Sequence, residues 1–275
     1  MVTARDYTAE AVSAARAVLI ELTHLLGRYR GDIVLVGGWV PPLLLGEKSN
    51  HVGSMDVDLA LDHKKLERGG YASIGRLLTG AGYVQDAEQP FTYRKEVLAA
   101  SCKLQVQVDL LAGEYEGTGR SRRTQRFQDV RPRKARGCDL AFTAPVEVKV
   151  EGRLPSGALD SVSVRVTALG PFIVMKGIAL RERLKAKDAY DIYFVLRHAP
   201  FDHVVDSIRQ LGDHGLLREA LDALSEKFAS PKHVGPQQVA ELFEEHDLEV
   251  RDIRTRDAYE RVRRRRQAVR LKPSV

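Results

Sequence analysis

At 275 residues, with 44% hydrophobic and 29% charged residues, the chain has the composition of a globular protein and the length for one large core or two modest ones, which excludes a disordered chain. No run approaches the roughly 20 apolar residues of a membrane span, and the first residues lack the apolar stretch of a signal peptide, so a cytoplasmic protein with no membrane partner is expected. Cys102 and Cys138 stand far apart, and the eight histidines show no HExxH spacing; disulfide frameworks and zinc hydrolases are set aside, and carboxylates must carry any metal.

The net charge of +6 is unevenly placed. Arg120, Arg122, Arg123, Arg126, Arg131, Arg133, Lys134 and Arg136 face only Asp129, and a second run holds Arg261 and Arg263 to Arg266. Such clusters suit a polyanion, because each neutralised phosphate releases counterions. A solvated basic surface is the plain alternative for the second run.

In chain order, Thr8 to Tyr29 carries apolar residues at helical spacing. Ile33 to Val36 is a short apolar strand closed by Gly37 and Gly38, and Met55 to Leu61 is a second strand. Asp62 to Gly80 predicts a helix, and strands follow near Tyr83 to Gln85, Phe91 to Val97, Lys103 to Leu111, Val146 to Val150 and Val162 to Val166. From Pro171 onward the pattern is helical, with turn signals at Pro200, Gly212, Pro231 and Pro236. The simplest description is a mixed α/β domain over 1–169 and a helical domain over 170–275.

Residues two apart in a strand share a face, so Asp56 and Asp58 project together while Val57 and Leu59 point into a core. Two carboxylates at that range repel unless cations or donors compensate, which points to a divalent cation. Val106 to Leu110 repeats the pattern: if this strand lies beside the first, Asp109 supplies a third oxygen ligand, or the base for an attacking hydroxyl. Gly37 and Gly38 would let backbone N–H groups approach a triphosphate, and Ser54 adds a polar contact; a tight strand-to-helix turn is the plain reading of the glycines. Gly46 to Ser49 lacks the Gly-Lys adjacency of a P-loop, and Ser54 lacks the setting of a serine nucleophile.

In the second half, Lys176, Ala179, Leu180, Arg183, Lys185, Lys187, Asp188, Tyr190 and Asp191 follow one another at fixed spacing. On one continuous helix from Phe172 to Leu196, Lys176, Arg183, Lys187 and Asp191 would share a stripe, where cations meet a triphosphate or Lys187 simply pairs with Asp191; a break around Lys185 would change the facing.

The order GG, S-x-D-x-D-L and an isolated strand Asp resembles the polymerase-β-like nucleotidyltransferase superfamily, and the set from Lys176 to Asp191 resembles the K-x-x-A-L-x-x-R-x-K-x-R-D-x-Y-D motif of AbiEii-type toxins, which include the MenT toxins. The resemblance runs from about Val34 to Leu196. It implies an α+β nucleotidyltransferase domain with a mixed sheet joined to an α-helical domain. It implies transfer of a nucleoside monophosphate from an NTP with release of pyrophosphate, Mg²⁺ or Mn²⁺ as cofactor, and a cognate antitoxin. Some relatives modify the 3′ end of tRNA. The implied roles are metal ligation by Asp56 and Asp58, phosphate contact by Lys176, and a further active-site acid at Asp188 or Asp191. Trp39 after the glycines, His51-Val52-Gly53 before the Ser, and Lys187 in place of Arg depart from the pattern and bear on base and acceptor preference.

Together these readings give in-line attack of an acceptor hydroxyl on the α-phosphorus, with Asp56, Asp58 and Asp109 on the metal, Gly37, Gly38, Ser54, Lys176 and Arg183 on the NTP, and Arg120, Arg122, Arg123, Arg126, Arg131 and Arg133 on RNA. The rivals are an antibiotic nucleotidyltransferase, for which the arginine-rich sequence is ill suited to a cationic drug, a protein-modifying enzyme, and a silent nucleic-acid- or partner-binding module.

Overall fold

The computed structural model describes residues 2–46, 50–66, 73–99, 102–114 and 129–270. The chain divides into two compact units. One contains Tyr7–Leu44 and Gly53–Thr167; the other contains Met1–Asp6, Leu45–Val52 and Ala168–Val275.

The first unit is a mixed α/β layer structure. Helix α1 (Ala9–Leu25) starts where the Thr8 hydroxyl accepts from the Ala11 amide at 3.2 Å, and buries Ala14, Ala15, Val18, Leu19 and Leu22 on one face. Strand β1 (Ile33–Val36) leads through a 3-10 turn at Gly37–Trp39 into the short α2 (Val40–Leu45). Strand β2 (Asp56–Leu61) follows, then α3 (His63–Leu66) and α4 (Ile74–Gly80). The helix expected over Asp62 to Gly80 is therefore described only at its two ends, and residues 67–72 lie outside the described part. Helix α4 starts afresh from extended Ser73, its first turn held by Asp129, which accepts from the amides of Gly75 at 3.1 Å and Arg76 at 3.0 Å.

Strands β3 (Val84–Gln85), β4 (Thr92–Leu98), β5 (Lys103–Ala112), β6 (Arg133–Lys134), β7 (Val146–Arg153) and β8 (Leu159–Val166) complete a sheet ordered β3-β4-β5-β2-β1-β8-β7, with β6 paired to the end of β5. It is an open mixed sheet: β1 and β2 run antiparallel, whereas β2 and β5, and β1 and β8, run parallel. Helix α1 packs on one face, lined by Leu35 and Leu59 beside Leu19 and Leu22. A 3-10 segment, Cys138–Phe142, packs against β1, β2 and β5, with Cys138, Leu140 and Ala141 buried.

The second unit is helical: α5 (Leu169–Glu182), α6 (Ala186–His198), α7 (Phe201–Arg209), α8 (Gly215–Lys227), α9 (Val234–Leu242) and α10 (Leu248–Arg270). Its apolar centre includes Ala186, Tyr190, Phe194 and Leu242, against which Leu45, Val52 and Phe243 pack. That packing is why Leu45–Val52, early in the sequence, clusters with the helices. The stripe expected on one continuous helix is broken: residues 183–185 separate α5 from α6, and Arg183 is extended.

The second basic run lies on α10 and is largely engaged within the unit. Arg261 pairs with Asp257 at 2.8 Å, Arg263 with Glu260 at 2.8 Å and Arg270 with Asp222 at 3.0 Å, while buried Arg265 stacks over Phe201. A helix so polar is held by such ion pairs and aromatic contacts. Among the described residues no helix is long and apolar enough to cross a membrane.

Candidate active site

The sheet register assembles the acids of the first unit. Strand β2 lies parallel to β5 with Asp58 opposite Asp109 and Asp56 opposite Gln107, so the three carboxylates project from one face of adjacent strands. Strand β4 on the other side of β5 places Thr92 opposite Asp109. The Thr92 hydroxyl donates to Asp109 Oδ1 at 2.6 Å, and the Gln107 amide donates to both Asp109 oxygens at 3.1 Å. Ser54 donates to Asp56 Oδ1 at 2.5 Å. These donors hold the two carboxylates in place without neutralising them.

Gly37 closes the other side. Its φ of +74° is strained for any side chain, and a Cβ added there would overlap the Asp58 carboxylate. The turn after β1 is therefore moulded to Asp58, and Gly38 is buried behind it. Gly53, at φ +86°, leaves no room for a Cβ against Val12 and so delivers Ser54 to Asp56. Of the glycine pair, Gly37 lies against Asp58.

An all-oxygen donor set on neighbouring strands fits a hard divalent cation, which takes carboxylates and keeps water. As placed, the three acids do not close into a ready cage: among the described residues no group of three His, Cys, Asp or Glu is near enough to hold a metal. Asp56 and Asp109 are instead engaged by neighbouring hydroxyl donors, Ser54 and Thr92. Burial and the charges of Asp139 and Asp58 push the Cys138 thiol far up, with Arg133 acting in the opposite sense, so the thiol stays protonated at the back of the site.

The basic residues of the first run divide. Arg120, Arg122, Arg123 and Arg126 lie outside the described residues. Arg133 pairs opposite Leu111, two residues beyond Asp109, and stacks over Phe91 with its guanidinium 5.6 Å from the ring centre. Its Nε finds no hydrogen-bond partner among the described residues. Arg131 is exposed.

In the helical unit the second motif folds into a buried ion network. Lys176 Nζ lies 2.7 Å from Asp188 and 2.8 Å from Asp191; Lys187 reaches Asp191 at 2.5 Å and Arg183 reaches Asp188 at 2.8 Å. Burial alone would raise the pKa of both acids, but Lys176 with Arg183 holds Asp188, and Lys176 with Lys187 holds Asp191, below the ordinary carboxylate range. Burial would likewise discharge Lys176, yet Asp188 and Asp191 keep it protonated. Three cations meet two carboxylates among the described residues, and Arg183 is the most exposed of the three at 43% side-chain exposure.

His51 completes the network. Its Nε2 lies 3.0 Å from Asp191 and its ring packs edge-on to Phe194. Burial, then the charge of Lys187, lowers its pKa to about 4, so the ring is neutral near pH 7 and donates from Nε2 to the ionised Asp191. Lys176, Asp188 and Asp191 thus serve one another, which gives the two acids the part of ordering cations; their oxygens are engaged rather than free for a metal ion.

Thr92, Gln107 and His51 were not legible as site residues. Thr92 and Gln107 act through cross-strand register, which alternation alone does not supply, and a lone His in a loop has no spacing to read.

Fold and site define the class: an open mixed α/β unit with three carboxylates on one sheet face, and a helical unit with a buried cation-rich network. No family model matches the chain, and no curated protein is similar to it by sequence.

Proposed function

We propose that the protein is a divalent-metal-dependent nucleotidyltransferase that moves a nucleoside monophosphate from an NTP to a hydroxyl of RNA, the 3′ end of tRNA being the first acceptor to test, and that it is a toxin held in check by a cognate antitoxin. The observation that carries this reading is the register that sets Asp58 directly beside Asp109 with Asp56 on the same face, against a glycine turn that admits no side chain. The likeness of the sequence to polymerase-β-like and AbiEii-type proteins supplies the reaction class.

On this reading Asp56, Asp58 and Asp109 hold Mg²⁺ or Mn²⁺. The bound cation would offset charge on the triphosphate and orient its α-phosphoryl group. Ser54 donates to Asp56, and Thr92 and Gln107 donate to Asp109, which limits the positions these two carboxylates take. Asp109, buried and hydrogen-bonded, is the candidate to accept the proton of the acceptor hydroxyl. Arg133, opposite Leu111 near the end of β5, and exposed Arg131 lie on the same unit as the acids and would meet phosphates of the acceptor.

Incubation of the protein with α-labelled NTPs, Mg²⁺ and total RNA tests this. Label is expected on tRNA and is expected to be lost when Arg131→Glu and Arg133→Glu are combined. Label that persists in that variant removes the basic run from the acceptor surface; label only on protein or on a small molecule changes the acceptor class.

A further inference from the structure

A different part of the first unit carries an inference independent of any catalytic reading. Strand β7 ends the sheet: it pairs with β8 from Val146 to Arg153 without a bulge, and among the described residues no strand pairs with its outer edge. Edge strands are usually blunted by proline, bulges, shortness, charged side chains or a covering element, because their free N–H and C=O groups template further pairing. β7 is eight residues long, continuous and free of proline. Its neighbours Pro145 and Pro155, neither with an amide proton, bracket it.

The two faces of β7 differ. Val150 is buried on the side where α1 packs, while Glu147, Lys149, Glu151 and Arg153 alternate on the solvent side. The order of those charges is self-complementary in one register. A second copy running antiparallel, with Val150 opposite Val150, places Glu147 against Arg153 and Lys149 against Glu151, each twice by symmetry. The same register sets Val146, itself 42% exposed, against Leu154, and brings Pro145 of one copy to Pro155 of the other. Moving the centre by one residue, to Lys149, puts Lys149 on Lys149 and Glu147 on Glu151. Opposite charges directly across a pair stabilise it and like charges destabilise it, so the charge pattern selects the first register. The midpoint between the bracketing prolines falls on the same residue, Val150.

We propose that β7 is the interface of a two-fold homodimer in which the sheets of two copies join edge to edge about Val150. The surface is used twice by itself, as a closed symmetric contact requires. The ion pairs that occupy these side chains within one copy, Lys149 with Glu151 at 2.6 Å and Arg30 with Glu147 at 2.6 Å, are exposed and exchange at little cost.

Sedimentation equilibrium of the full chain over a range of concentrations tests this, with three proteins compared. The wild type is expected to show a monomer–dimer equilibrium that weakens as salt rises. Lys149→Glu, a change on an exposed side chain, makes two carboxylate–carboxylate pairs and is expected to raise the dimer dissociation constant by at least about tenfold. Lys149→Glu combined with Glu151→Lys restores opposite charges at the same positions and is expected to restore the dimer. A wild type that stays monomeric throughout overturns the proposal, as does a dimer indifferent to Lys149→Glu or one that the double reversal fails to recover. None of these readouts depends on nucleotide transfer, so the two proposals stand or fall separately.

Discussion

Asp58→Asn is expected to abolish nucleotidyl transfer while leaving the fold at least as stable as the wild type. The substitution keeps the side-chain shape and removes the charge that stands directly opposite Asp109. Relief of that repulsion stabilises the sheet by at most about 1 kcal/mol, the range for a like-charge cross-strand pair. Loss of one electrostatic element at a transition state costs on the order of a thousandfold in rate. Opposite signs on stability and activity identify a functional carboxylate, because a residue kept for packing would lose both together. Thermal unfolding alongside a labelled-NTP transfer assay reads the two effects; a variant that retains transfer contradicts the assignment of Asp58.

The second large effect is on stability. Lys176→Met is expected to destabilise the helical unit by about 3–5 kcal/mol, the cost of breaking a buried ion pair by deleting one partner. Methionine fills much of the volume but leaves Asp188 and Asp191, which are 1% and 0% exposed, with one cation each. Exposed Arg183, and Lys187 one helical turn before Asp191, compensate only in part. Urea unfolding followed with hydrogen exchange of α5 and α6 reads the change; a loss below about 1 kcal/mol would mean that Arg183 and Lys187 suffice, and that Lys176 is kept for ligand contact instead.

The two basic and acidic motifs thus differ in kind although both were legible as patterns. Asp56 takes a hydroxyl donor, Ser54, whereas Lys176, Arg183, Lys187, Asp188 and Asp191 pair with one another within one unit. Spacing alone does not tell these apart, because it says which residues share an element and not which elements meet. Strands β1, β2 and β5 were readable because short apolar or alternating runs mark them. Their order was not: placing β5 beside β2 depends on pairing between residues some fifty positions apart, and it is this pairing that brings Asp109 to Asp58. The hairpin of β4 and β5 then adds Thr92, whose hydroxyl has no meaning until Asp109 lies across from it.

The break after α5, near the Lys185 position that the sequence left open, could not be decided locally for a related reason. Neither glycine nor proline lies between Arg181 and Tyr193, and local propensity favours one long helix. The chain breaks where Arg183 turns back to Asp188, and Asp188 in the first turn of α6 sits well for the helix dipole. Likewise Leu45–Val52 lies early in the sequence but packs on Tyr190 and Phe194, a contact between residues far apart that no window of sequence contains.

The most direct measurement of the central assignment is the position of a bound Mn²⁺ ion, located by anomalous diffraction from crystals grown with Mn²⁺ and a non-hydrolysable NTP. A peak coordinated by oxygens of Asp56, Asp58 and Asp109, and lost in Asp109→Asn, is the result expected of three carboxylates gathered on β2 and β5 for a divalent cation. A fully bound nucleotide with no ion on these side chains, or an ion that persists unchanged without Asp109, would contradict it.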